Sequence, residues 1–215
     1  LGEPHDETPH GILPRAWLDR MQEPTFRVRA SNLGQAVGIG WFLREIDGVG
    51  SVGHVGSANG QFAELLFVPG RRFAVVSLAN AGPDGIPFNR SVMRWTLQKY
   101  LGLADRDPVP VPYDPARAVE LCGVYENEVM TLSIRNEPNK MILQVLMKPE
   151  IRMRSDKPLP PDHAPFEFGL LAGNSDEYII VSGAFEGQRG YFTRDQSGQV
   201  TGVDLAGRLF SRNLQ

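Results

Sequence analysis

At 215 residues, with 41% hydrophobic and 22% charged, the chain is long enough for one large or two ordinary globular domains. A net charge of −3 and a pI near 5.8, with acids and bases mixed along the chain, supply no basic stripe and argue against nucleic acid as a partner. No apolar run approaches the ~18 residues needed to cross a bilayer, so no membrane span is expected, and Leu1-Gly2-Glu3-Pro4-His5 lacks the regions of a signal peptide.

The chain begins without Met, which leads us to expect a segment upstream. Residues 1–12, rich in Pro, Gly and His, read as a loose lead-in. His5 and His10 with Glu3, Asp6 and Glu7 sketch a metal site there, but a flexible charged segment is the simpler account. Pro14 can start a short helix carrying Trp17, Leu18 and Met21 on one face, and Pro24 ends it. Val37 to Leu43 reads as a strand whose glycines permit close backbone approach, and Asp47-Gly48 marks a turn. His54 opens the next strand. Phe62 to Val68 and Phe73 to Ala79 follow, joined at Pro69-Gly70, and the second run is apolar at both alternating sets of positions, which predicts cover on both faces. A helix then runs from an Asn89 cap through Val92, Met93, Thr96, Leu97 and Tyr100 to a stop at Gly102.

From Asp105 to Pro115, prolines at alternate positions predict an extended connector and a domain boundary. Beyond it the pattern is one of short strands: Val119–Tyr125, Met130–Ile134, Met141–Met147, Phe166–Leu170, Tyr178–Ser182, Gly190–Thr193, Val200–Leu205 and Leu209–Ser211. That spacing indicates an antiparallel sandwich or up-and-down barrel, with Pro149 to Pro165 as a loop over one mouth. A barrel raises the option of a small apolar ligand in its lumen, which large inward side chains would remove. Tyr178, Phe185, Tyr191 and Phe192 are more simply core and surface than a ligand cage, His163 reads as solvated, and the lone Cys122 as a small buried hydrophobe.

Several of these pieces carry a resemblance in their order and spacing. Pro14 to Met21, Val37-Gly38-Ile39-Gly40-Trp41, Gly53-His54-Val55-Gly56, Leu66-Phe67-Val68-Pro69, Val75 to Asn80 and the closing helix resemble the C-terminal part of the serine β-lactamase-like superfamily. That superfamily includes class C β-lactamases, penicillin-binding D,D-peptidases, D-aminopeptidases and esterases. Residues from about 118, ending in Gly207-Arg208-Leu209-Phe210-Ser211-Arg212, are similar to the lipocalin-like barrel that some members append. The resemblance implies an α+β fold, an antiparallel sheet flanked by helices, followed by an all-β antiparallel barrel. The expected domains are 1–104, a linker at 105–117, and 118–215.

The mechanism of that superfamily needs a Ser-x-x-Lys, a Tyr-x-Asn, and a Lys-Thr-Gly or His-x-Gly strand. Only the third is present. By position, His54 matches the motif's polar head, Gly56 its close-approach glycine, and Ser57 the residue whose backbone N–H forms half of the oxyanion hole; Val55 falls where it can line the substrate, and Asn80, at a strand end, either forms a turn or reaches the pocket. Such an N–H stabilises a developing oxyanion by ~3 kcal/mol when its partner donor is in place. No serine has Lys three residues later, no Gly-x-Ser-x-Gly occurs, and Tyr125-Glu126-Asn127 stands in the wrong order and the wrong domain. Val55 in place of a hydroxyl, and His54 in place of a permanent cation, favour an esterase or peptidase-like relative over a true β-lactamase. The expectation is a C-terminal fragment of a serine hydrolase, inactive alone and needing no cofactor. Together with upstream sequence it would act on a small-molecule ester, amide or peptide. A non-catalytic binding or oligomerisation module is the rival, and an uncovered sheet face would promote self-association.

Overall fold

The computed structural model describes residues 13–213, apart from 59, 83, 155, 157, 158, 160, 174 and 175. The metal site sketched at Glu3–His10 lies outside them. The chain is α+β, a six-stranded antiparallel sheet with helices followed by a closed eight-stranded antiparallel barrel. It divides into two compact units, with the change between Arg106 and Asp107.

The first unit starts with helix α1 (Arg15–Met21). Its last carbonyl, on Met21, accepts from the Ile39 N–H at 3.0 Å. The backbones come so close there that a Cβ on Gly38 would sit 2.2 Å from the Met21 oxygen. The sheet is a meander of β1 (Phe26–Arg27), β2 (Ala36–Val37), β3 (Phe42–Ile46), β4 (Val49–Ala58), β5 (Gln61–Val68) and β6 (Phe73–Asn80), each paired with the next. Val37 to Leu43 is therefore not one strand, as its composition predicted, but the ends of two. The Gly38 N–H closes the turn on the Trp41 carbonyl at 2.8 Å, and Gly40 adopts φ 75°. Turn and arms are equally apolar, so hydropathy hides the reversal. Likewise His54 does not open a strand but lies in the middle of β4, which begins directly after the Asp47-Gly48 turn.

One face of this sheet is covered by helix α2 (Gly85–Leu101), and Ile46, Leu66, Val68, Met93, Leu97 and Leu103 form the core between them. The other face of β6 is open among the described residues, with Val76 60% and Leu78 74% exposed. This corrects the expectation of cover on both faces: an apolar run on an edge strand looks the same in sequence as one in a sheet centre. None of the eight residues of β6 is charged. Helix α2 also starts earlier than the predicted Asn89 cap, after Asp84. Asn89 is instead buried inside the helix, where its Oδ1 accepts from the Ser77 hydroxyl of β6 at 2.7 Å. At its other end Gly102 does end the helix, at φ 69°.

In the second unit the connector is fastened down. The Val111 N–H donates to the Leu170 carbonyl at 2.8 Å, and Pro110 lies so close to Gly169 that a Cβ there would meet it at 2.5 Å. Asp114 caps helix α3 (Pro115–Leu121), accepting from the Ala116 N–H at 2.9 Å. The strand expected from Val119 is thus helical to Leu121. The Asp-Pro start signal outranks the β-branched Val119, and β7 spans only Gly123–Glu126. The remaining strands are β8 (Met130–Glu137), β9 (Lys140–Met147), β10 (Phe166–Leu170), β11 (Glu177–Ile180), β12 (Arg189–Arg194), β13 (Val200–Leu205) and β14 (Arg208–Arg212). They close in the order β10-β11-β12-β13-β14-β7-β8-β9. The predicted loop from Pro149 contains a short helix, α4 (Pro149–Met153).

Tyr125, Phe166, Phe168, Tyr178, Phe192 and Phe210 fill the barrel, and Ala118 and Leu121 of α3 join the same cluster. The lumen holds side chains rather than space for a ligand. Its two phenols are satisfied internally: Tyr125 donates to the Leu121 carbonyl and Tyr178 to the Asp204 carbonyl, each at 2.7 Å. Burial pushes the Tyr125 phenol up to about 12. Arg194 of β12 pairs with Glu120 and, at 2.9 Å, with Asp176, while Arg117 of α3 bonds the same two carboxylates. These pairs tie α3 to the strand ends.

The Asp204 carboxyl is buried and accepts a long hydrogen bond from the Gly207 N–H at 3.4 Å. Desolvation raises its pKa. For an acid with a raised native pKa, the native state binds more protons than the unfolded state, so stability falls as pH rises through the interval between the two pKa values. Asp204→Asn keeps the acceptor and removes the charge. It is expected to raise the melting temperature at pH 7 and to leave it unchanged at a pH below the ordinary aspartate range, as thermal melts at the two pH values would show.

Candidate functional site

The residues singled out in the sequence lie along the last half of β4, and this half is built differently from the first. The ladder to β3 ends at the pair Phe42↔Gly53, whereas the ladder to β5 continues through His54↔Leu65, Gly56↔Ala63 and Ser57↔Phe62 to Ala58↔Gln61. From His54 to Ala58 the strand is therefore hydrogen-bonded to a neighbour on one edge only. In an antiparallel strand alternate residues direct N–H and C=O to opposite edges, so this overhang presents backbone donors and acceptors every second residue. His54, Gly56, Ser57 and Ala58 are exposed and Val55 is half-buried.

Register assigns the faces. His54, Gly56 and Ala58 stand in rows with Leu65, Ala63 and Gln61 of β5, and these with Val76, Leu78 and Asn80 of β6. Asn80 is thus on the face of His54 and Gly56, in the row of Ala58 and two strands away. Nothing lies within 4 Å of the position a Gly56 Cβ would take, so the strand surface is open there. Phe42 stands beside the imidazole of His54, ring centroids 5.5 Å apart and tilted by 40°.

The opposite face carries a group that sequence reasoning missed. Val55, Glu64 and Ser77 form one row across β4, β5 and β6. Glu64 is half-buried, and desolvation raises its pKa against the opposing pull of Arg44 and Arg90. Arg44 itself bonds Asp105, which Arg94 approaches at 3.5 Å. The available signal was the single acid within the apolar run from Phe62 to Val68.

The other motif fragments are structural. Tyr125 of Tyr125-Glu126-Asn127 is buried in the barrel, and the Asn127 Oδ1 accepts from the Val129 and Met130 N–H groups at 2.9 and 2.8 Å. His163 is exposed, as expected, and also packs edge-on to Phe185 at 5.0 Å. Cys122 is half-buried against the barrel core, and burial raises its thiol pKa. Among the described residues no cluster of three or more His, Cys, Asp or Glu side chains could hold a metal ion, and no helix is long and apolar enough to cross a membrane.

No family model matches the chain. Penicillin-binding protein 4 of Amycolatopsis lactamdurans is 34% identical to it over 94 residues, which is 42% of this chain and 24% of that protein. This chain resembles a penicillin-binding protein over part of its length. Crystal structures of SurE superpose on 95% of the chain, with a TM-score of 0.59 and 19% identity for SurE with D-Leu, and 0.58 and 20% for SurE without a named ligand. At that identity the likeness is one of fold. The chain spans about a quarter of the penicillin-binding protein and under half of the SurE chains, at 45% and 44%.

Proposed function

We propose that the chain supplies one wall of the active site, and an appended lipocalin-like barrel, of a β-lactamase-like serine hydrolase. The observation that carries this is the overhang of β4: an exposed, singly paired strand with an open glycine at 56, in a chain partly similar to a penicillin-binding protein. Gly56 leaves room for an extended substrate along the strand. The Ser57 N–H is one oxyanion donor, and His54 is the polar head beside it. Val55, whose row runs to Glu64 and Ser77, and Asn80, on the face of His54, border the substrate. The nucleophilic serine, its lysine and the second donor come from polypeptide upstream of Leu1. The catalytic portion is 1–104, the linker 105–117 and the barrel domain 118–215. The substrate is a small ester, amide or peptide, and SurE with D-Leu makes D-amino-acid esters the first compounds to try.

The test is covalent labelling of the protein expressed with its native upstream sequence, beside the 215-residue chain alone. A fluorophosphonate is expected to add to a serine upstream of Leu1 in the long form and to nothing in the short one. Gly56→Val is expected to slow labelling by about a hundredfold, the scale of a misplaced reacting group. A reading frame that starts near Leu1, or a long form that never acquires an adduct, overturns the proposal.

The second function, a binding or self-association module, is favoured by one feature, the open face of β6 with Val76 and Leu78. It predicts oligomers of the 215-residue chain that Leu78→Lys disperses.

A further inference from the structure

On the barrel unit, outside the filled lumen, a cavity of about 580 Å³ opens between the connector at Pro110–Tyr113 and the outer faces of β9 and β10. It shares no residue with the overhang of β4. Its volume is that of a small-molecule site. Pro110, Val111, Leu171 and Val181 give it apolar walls, and four charged residues, Asp114, Arg117, Lys140 and Glu167, line it.

Register places Lys140 and Glu167. Phe168 pairs with Met141 and Glu167 with Ile142, so by strand alternation Glu167, Gly169 and Lys140 belong to one outer face, with Glu167 diagonal to Lys140 across the two strands. They do not pair with each other. Among the described residues Lys140 reaches only Glu137, at 3.6 Å in an exposed turn, a contact of little weight, and the half-buried carboxylate of Glu167 has no hydrogen-bond or ion-pair partner. The remaining charges of the cavity are committed: Asp114 caps α3, and Arg117 pairs with Glu120 and Asp176. The space above Gly169 is taken by Pro110, whose ring is the apolar floor of the cavity there.

We propose that this cavity binds a zwitterion with an apolar side chain, of amino-acid to dipeptide size. Its ammonium pairs with Glu167, its carboxylate with Lys140, and its side chain lies against Val181 and Leu171. A half-buried carboxylate and a nearby ammonium that leave each other unpaired, on an apolar floor, are complementary to a ligand carrying both opposite charges.

The experiment is a titration of the whole 215-residue chain with L-leucyl-L-leucine, followed by amide chemical shifts and calorimetry. Saturable shifts are expected at Lys140, Gly169 and Gly173, and Glu167→Gln and Lys140→Gln are each expected to weaken binding about tenfold or more. N-acetylation of the dipeptide, which removes the ammonium, should reproduce the loss seen with Glu167→Gln, and C-terminal amidation that seen with Lys140→Gln. Both substitutions are at the surface, and unchanged melting curves confirm that folding is kept. Absence of saturable shifts, shifts centred elsewhere, or affinities indifferent to both substitutions overturn the proposal, whatever becomes of the hydrolase test.

Discussion

Gly190→Ala is expected to unfold the barrel at temperatures where the parent protein is intact. Gly190 of β12 faces Leu205 of β13 and Tyr178 of β11, and a Cβ there would sit 2.2 Å from the Asp204 carbonyl oxygen and 2.5 Å from the Tyr178 hydroxyl. Neither atom can yield. The carbonyl belongs to a ladder in a closed barrel, and the phenol is fully buried and hydrogen-bonded to that same carbonyl at 2.7 Å. Overpacking a close-packed core costs ~1–3 kcal/mol, and loss of the buried hydrogen bond adds ~1 kcal/mol. The expected destabilisation is therefore about 3 kcal/mol, readable as a lowered denaturant midpoint. Tyr178→Phe, which removes only the hydroxyl, should cost ~1 kcal/mol. If the two variants unfold alike, the crowding at Gly190 is not what holds Tyr178 in place.

A comparable loss is expected from Leu97→Ala in the first unit. Leu97 is completely buried between α2 and the sheet, in a core cluster with Ile46, Leu66, Val68, Met93 and Leu103. Leu→Ala at a fully buried site costs ~2–5 kcal/mol, and a small core has few neighbours that can collapse into the gap. Amide exchange should speed up in β4, β5 and β6, including the overhang at His54–Ala58, while the core strands of the barrel keep their protection. Equal acceleration in both units would show that α2 does not stabilise its own sheet selectively.

Much of the architecture was legible because alternation and turn chemistry agreed. The Asp47-Gly48 turn, the β10 and β13 boundaries and the Gly102 stop all rest on residues whose backbone preference matches the fold. What failed shares a cause. Val37–Leu43, Phe73–Ala79 and Val119–Tyr125 are apolar stretches in which composition alone cannot separate a hairpin from a strand, an edge from a centre, or a capped helix from a β segment. Asn89 looked like a cap because Asn usually competes with the helix backbone, whereas here Ser77 satisfies it from the sheet. Of the candidate site, the order His54, Val55, Gly56, Ser57 was readable. Its decisive property, that β3 stops at Phe42 and leaves the end of β4 with one neighbour, depends on where a different strand ends. Glu64 was hidden for the same reason, since its position in the row with Val55 and Ser77 comes from pairing.

The two units also differ in how they meet other polypeptides. The barrel is closed, so it offers no lateral strand for a stray chain to copy. The sheet has two outermost strands, and of these β1 is only two residues long while β6 is eight, without charge or proline. At high concentration, templated fibril growth is therefore expected to start at Phe73–Asn80, and a single gatekeeper such as Val76→Lys should lengthen its lag time.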